Sequence, residues 1–217
     1  MNHRATAVDP VAGAVLTGGA SRRLGSDKAT LDPYGLGMML DVAIGALRGA
    51  GCGPLATVGG PRRTPGAADI VHVADRFPDQ GPLGGIITAL HWSPQDLVVV
   101  IACDMPFLEA APIATMIEAI TADRDAAVVL GQVDGREQPL TGVWRRTGAL
   151  DILETAFEQG ERAPRRVLPS LPHRLIDLTG TDAVVDIDSA ADIDRYAAVA
   201  EQRRVQRVAL EPRPGGS

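Results

Sequence analysis

The stretch "DLVVVIACDMP", residues 96–106, places the tightest constraint on the fold. Seven apolar residues in a row leave no polar face, so a strand here has to be covered on both sides. Composition points the same way. The chain is 45% apolar but only 3% aromatic, so its core is built mostly from Ala, Val, Leu and Ile. Such a core suits a mostly parallel sheet clad by helices better than a β-sandwich. At 217 residues a single domain is expected, and a globule of that size buries roughly 70% of its unfolded surface without a covalent staple. Cys52 and Cys103 lie far apart with no CxxC pair, which argues against a disulfide framework or a structural zinc site.

The rest of the chain alternates strand and helix. "GAVLTGG" (13–19), "PLATVGG" (54–60) and "DIVHVAD" (69–75) read as short strands, the first ending in a glycine turn. "MLDVAIGALRGAG" (39–51), "GPLGGIITALHWS" (81–93) and "AAPIATMIEAITADR" (110–124) carry helical spacing. "AAVVLGQVDGREQPLTGVWRR" (126–146) predicts two strands joined at Asp134-Gly135. "ALDILETAFEQG" (149–160) predicts an amphipathic helix, followed by "HRLIDL" (173–178) and "AVVDID" (183–188) as late strands. A last helix follows, with Ser189 as N-cap. The expected architecture is three-layer α/β and Rossmann-like, a mostly parallel central sheet with an antiparallel addition and helices on both faces. Residues 1–11 read as a flexible arm, 12–200 as the domain, and 201–217 as an extension with a disordered end.

The formal net charge is −6, which argues against nucleic-acid binding, where a basic footprint is expected. Arginine pairs at 22–23, 62–63, 145–146, 165–166 and 203–204 suit discrete phosphates, although most read equally well as solvated surface. There is no apolar run of about 20 residues and no secretory core at the N-terminus. No membrane partner and a cytoplasmic location are the expectations.

"AVLTGGASRRLGSDKATL", residues 14–31, is the first stretch that points to chemistry. It is not a P-loop, because Ser26 and Asp27 separate Gly25 from Lys28. It is not a dinucleotide fingerprint either, because Gly18-Gly19-Ala20-Ser21 breaks the glycine spacing. Glycines at a strand end still let backbone N–H groups approach anionic oxygens. Arg22 or Arg23 offers a forked donor set and Lys28 a point charge.

The pattern L-T-G-G-x-S-x-R-L-G-x-D-K in this stretch resembles the signature of the nucleotidyltransferases that make the molybdenum cofactor dinucleotide. The Asp27-Lys28 pair resembles the guanylyltransferase branch. Thr17 and Leu24 depart mildly from the usual residues. The likeness continues through "DRFPDQGPLGGI" (75–86), "VVVIACDMPFL" (98–108), "VDGREQPLTGVWRR" (133–146), "GERAPRRVL" (160–168) and "DIDSAADI" (186–193). It implies nucleotide contacts at Leu16, Thr17, Gly18, Gly19, Lys28, Asp75, Gly81, Pro82, Leu83, Gly84 and Asp104. It implies Arg22, Lys28 and Asp104 as catalytic residues, Mg²⁺ on Asp104 and Asp188, and an acceptor held by Arg162 with Arg165 or Arg166. An acid where a central strand ends is also where α/β sheets bind ligands, and Mg²⁺ prefers oxygen donors.

The activity so implied is transfer of GMP from GTP to the terminal phosphate of a molybdopterin-type cofactor, with release of pyrophosphate. Transient contact with molybdenum cofactor proteins goes with it, and the oligomeric state stays open. One departure bears on the base: Asp186 and Asp188 stand where guanylyltransferases carry asparagine. That keeps two alternatives in play, a cytidylyltransferase or a sugar-phosphate nucleotidyltransferase. A catalytically idle nucleotide-binding relative is a further reading, disfavoured by the intact Gly18-Gly19, Lys28 and Asp104. The histidines at 72, 91 and 173 need no catalytic role.

Overall fold

The computed structural model describes residues 10–18, 28–62 and 69–210. The described residues build a seven-stranded sheet in the order β3-β2-β1-β4-β6-β5-β7. The strands are β1 Val11–Leu16, β2 Leu55–Val58, β3 Ile70–Val73, β4 Leu97–Ala102, β5 Val128–Val133, β6 Arg136–Arg145 and β7 His173–Asp177. The pairs β1–β2, β1–β4, β2–β3 and β5–β7 are parallel, while β6 runs antiparallel to both β4 and β5. The helices are α1 Met39–Gly49, α2 Pro82–Trp92, α3 Ala110–Ala122, α4 Arg146–Glu158, α5 Pro164–Val167, α6 Ala190–Arg195 and α7 Ala197–Leu210. This is the three-layer, mostly parallel α/β architecture that the sequence predicts.

The central apolar run is β4, and its side chains divide by the two-residue period of a strand. Leu97, Val99 and Ile101 join the core beneath α1 and α3, with Ile44, Leu47, Ile113 and Met116. Val98 and Val100 point the other way, into the core beneath α2 and α4, with Ile86, Leu90, Leu153 and Trp144. A third, smaller cluster lies beyond the sheet end. There Tyr34, Met39, Phe107, Ile187 and Ala200 pack together with Ile193 and Tyr196 against them. Tyr34 stacks on Phe107 at 5.3 Å between ring centres, and Tyr196 meets the same ring edge-on at 6.4 Å.

Several expectations change. Residues 183–188 form no strand: Ala183, Val184 and Ile187 are buried, but the segment crosses the ends of the strands instead of extending an edge. Ile187 N–H donates to Asp104 O at 3.0 Å. The single last helix is two, α6 and α7, broken at Tyr196, whose ring is held by Phe107. Strand β1 begins at Val11, inside the predicted arm, and α7 runs across the boundary placed at 200. Arg203 beyond that boundary pairs with Glu109, and Arg204 donates to the carbonyl of Tyr34. The expected arm at 1–9 and the disordered end at 211–217 lie outside the described residues. Among the described residues no helix is long and apolar enough to cross a membrane.

Candidate active site

Strand order reverses beside β1: β2 follows it on one side, and β4 lies on the other. A crevice opens at such a switch point, beyond the carboxyl ends of the strands. Leu16, the last residue of β1, pairs in register with Ala102, the last of β4. Thr17-Gly18 and Cys103-Asp104 therefore leave the sheet side by side.

The chain returns to this spot at residue 28. The Lys28 ammonium lies 3.0 Å from Asp104 Oδ2 and also donates to Asp188 Oδ1. Two carboxylates 84 positions apart in sequence thus converge on one cation. Burial pulls the Lys28 pKa down, but the hydrogen bonds and charges of Asp188 and Asp104 outweigh it and hold the group above the ordinary lysine value. Asp186 sits at the mouth, open to solvent on one side. Its carboxyl is pushed up, first by loss of water and then by the charges of Asp104 and Asp188.

Local structure explains why Asp188 arrives here. Ser189 and Asp192 form a capping box at the start of α6: Ser189 Oγ accepts from Asp192 N, and Asp192 Oδ2 accepts from Ser189 N at 2.8 Å. Asp192 Oδ2 also takes the Asp188 N–H at 3.1 Å. The box and the Ile187–Asp104 bond fix the loop from both sides.

The β1 turn is cupped by a pair of residues that sequence reasoning passed over. Gly59 and Gly60, at the end of β2, have φ of +72° and +64°. A Cβ on Gly60 would stand 2.6 Å from Thr17 O, and one on Gly59 would stand 3.2 Å from Gly18 Cα. Only glycine lets β2 close against the β1 turn this tightly. Their signal was the "VGG" that ends the second strand.

The predicted nucleotide residues are placed as follows. Leu16 is buried against α2, so only its main chain reaches the crevice. The Thr17 hydroxyl donates to Gly59 O at 2.7 Å. Asp75 lies next to Gly59, with its Oδ1 accepting from Phe77 N at 2.9 Å and 3.1 Å from the Thr88 hydroxyl. That shapes the turn leading to residues 81–84. Gly81 and Pro82 are exposed, whereas Leu83 and Gly84 are buried at the start of α2. Gly19, Arg22 and Arg23 lie outside the described residues.

The arginines expected to hold the acceptor sit on a second wall. Ala163, Pro164, Arg165 and Arg166, with Pro82, Pro139 and Leu140, line a groove of about 620 Å³. Arg165 pairs with Glu137 at 3.4 Å and Arg166 with Glu161 at 3.7 Å. Arg162 also lines the groove, but its guanidinium is turned to protein oxygens: Nη1 donates to Phe157 O at 2.7 Å and to Glu161 O at 2.8 Å. The histidines are occupied elsewhere, His72 beside Thr57, His91 with Glu154 and His173 with Leu171 O.

The donor set fits a hard divalent cation. Asp104 and Asp188 present carboxylate oxygens to one point, and Mg²⁺ is commonly held by one or two carboxylates plus water and substrate phosphate. Among the described residues no trio of His, Cys, Asp or Glu converges into a protein-only metal cage, so phosphate and water would complete the shell.

Residues 13–175 match the family model of the MobA-like NTP transferase domain. The chain belongs to the MobA-like NTP transferase family. It is a nucleotidyltransferase. A Mycobacterium tuberculosis protein named "Probable molybdenum cofactor guanylyltransferase" is 32% identical over 188 residues, covering 85% of this chain and 92% of the relative. The crystal structure of molybdopterin-guanine dinucleotide biosynthesis protein A from Archaeoglobus fulgidus superposes with a TM-score of 0.66 at 22% identity, covering 88% and 98% of the two chains. The 2-C-methyl-D-erythritol 4-phosphate cytidylyltransferase of Thermus thermophilus gives 0.67 at 16% identity, covering 88% and 99%. The last two likenesses speak for the fold alone. Since one is to a cytidylyltransferase, that fold does not choose between guanine and cytosine.

Proposed function

We propose that this MobA-like NTP transferase transfers GMP from GTP to the terminal phosphate of a molybdopterin-type cofactor and releases pyrophosphate. One observation carries the reading: Lys28, Asp104 and Asp188 converge at the mouth of the β1–β4 crevice. The acceptor brings its own nucleophile, an ionised phosphate oxygen. This oxygen attacks the α-phosphorus in line, a new P–O bond forms, and the α–β bridging bond breaks with its electron pair leaving on pyrophosphate. The protein's share is positioning and charge neutralisation. Amides of the β1 turn and the Lys28 ammonium face the triphosphate, residues 81–84 face the base, and Arg165 with Arg166 face the acceptor phosphate. Asp104 and Asp188 would hold Mg²⁺, which when bound neutralises phosphate charge.

The relatives named molybdenum cofactor guanylyltransferase support guanine and the molybdopterin acceptor. The acidic pair Asp186 and Asp188 favours a second reading, cytidylyl transfer. A thermal-shift panel of GTP and CTP with Mg²⁺ separates them, because a ligand that binds the native state raises its apparent stability. The larger shift is expected with GTP, and a CTP-selective shift would replace guanine in the reading. For catalysis, Asp104→Asn should abolish pyrophosphate release while circular dichroism stays native. Full release by the variant would remove Asp104 from the machinery.

A further inference from the structure

Arg162 has a larger part than lining a groove. Helix α4 ends at Glu158, and the chain turns through Gly160, at φ +95°, so that Arg162 folds back over the helix end. Its guanidinium carbon stands 3.9 Å above the Phe157 ring, and Nη1 satisfies two carbonyls, Phe157 O and Glu161 O. Phe157 O also accepts the Gly160 N–H at 3.0 Å, so the guanidinium adds a second donor to a helix end that the main chain closes. The remaining contacts cross to the other wall of the crevice. Nη2 reaches Gln80 Oε1 at 3.2 Å, and the Arg162 carbonyl accepts the Leu83 N–H at 3.3 Å. Between them Gly81 adopts φ +89°, and a Cβ there would stand 3.2 Å from Arg162 O. Behind, Phe77 packs on Phe157 at 4.4 Å. Residues 80–83 therefore rest on Arg162, which lines the same groove as Ala163–Arg166.

We propose that Arg162 is a positioning residue that braces the 80–84 loop against the 160–166 segment, so that nucleotide binding at the loop orders the acceptor groove. The proposal rests on the reading that residues 81–84 face the base. Coupling of this kind is reciprocal: a ligand that steadies one wall steadies the other through the shared contact. It gives Arg162 a function other than holding acceptor phosphate.

The test is hydrogen exchange on the full chain, with and without GTP and Mg²⁺, for wild type, Arg162→Met, Arg162→Lys and Gln80→Ala. In wild type GTP should slow exchange at both 78–86 and 160–168. In Arg162→Met the slowing at 160–168 should disappear and GTP affinity should fall about tenfold, within the usual span of coupling energies. Gln80→Ala, which leaves the α4 end intact, should weaken the response at 160–168 without changing exchange in β4. Arg162→Lys should restore only part of the response, because a lysine cannot bridge both carbonyls and Gln80. A wild-type response at 160–168 in Arg162→Met or Gln80→Ala would overturn the brace. Failure of GTP to bind wild type would sink the nucleotide reading instead. The brace is then judged without nucleotide: Arg162→Met should speed exchange at 78–86, and unchanged exchange there overturns it. Should Arg162→Met not fold, Gln80→Ala carries the same two readouts.

Discussion

At the scale of single residues, the mouth of the crevice sets Lys28 against Asp104, Asp186 and Asp188. Lys28 holds Asp104 and Asp188; it also pulls the Asp186 carboxyl down, but loss of water and the charges of Asp104 and Asp188 outweigh that pull. The sign of the pH effect follows. A carboxyl whose folded pKa is raised binds its proton more tightly when folded. Its contribution to stability is therefore full below the ordinary aspartate value and lost as pH rises through the raised one. At neutral pH Asp186 works against folding, and Asp186→Asn should raise the melting temperature at pH 7–8. The gain should be modest, since the carboxyl touches solvent, and should vanish toward pH 4 in melts without nucleotide or metal. An equal gain at both ends of that range would mean packing and not charge. Lys28 follows the same sign at a higher pH, its contribution full below the ordinary lysine value and lost as pH rises through the raised one.

At the scale of elements, the loop that presents Asp188 depends on the α6 capping box. Ser189→Ala removes the cap and should cost about 1 kcal/mol in urea unfolding. Asp188, whose own N–H shares Asp192 Oδ2 with the box, should be displaced with it. The cap was legible in the sequence because S-x-x-D is a local pattern. Strands β1 and β4 were legible as unbroken apolar runs, and the β5–β6 turn as Asp134-Gly135, both at positive φ. The segment 183–188 was not. Its apolar residues mimic a strand, yet Val185 and Ile187 pack in the small cluster around Phe107, Val184 joins the core beneath α1 and α3, and the segment makes no ladder. The convergence of Lys28 with Asp104 was legible through the motifs that contain them. The brace at Arg162 was not, because it depends on Gly160 and Gly81 folding two distant segments onto one guanidinium, and neither spacing nor composition encodes that meeting.

At the scale of the whole molecule, the small cluster beyond the sheet ties the site together. Tyr34 follows Lys28, Phe107 follows Asp104, and Ile187 precedes Asp188, and all three side chains share one core. Tyr34 Oη also donates to Ile193 O at 3.1 Å. Phe107→Ala should cost about 3–5 kcal/mol on chemical unfolding, the usual range for a buried phenylalanine. It should also weaken GTP binding, which a distant core truncation of equal cost, such as Leu153→Ala, should leave unchanged. The reversed strand β6 has an outcome of its own. Because it runs against its neighbours, its opening residues Arg136–Leu140 project past the end of β4 to the chemical rim, with Pro139 where the β5 register slips. The hairpin tip thus supplies a wall that an all-parallel sheet lacks. On the proposed reading, exchanging that tip would re-tailor the room for the second substrate while the triphosphate half of the machine kept its shape.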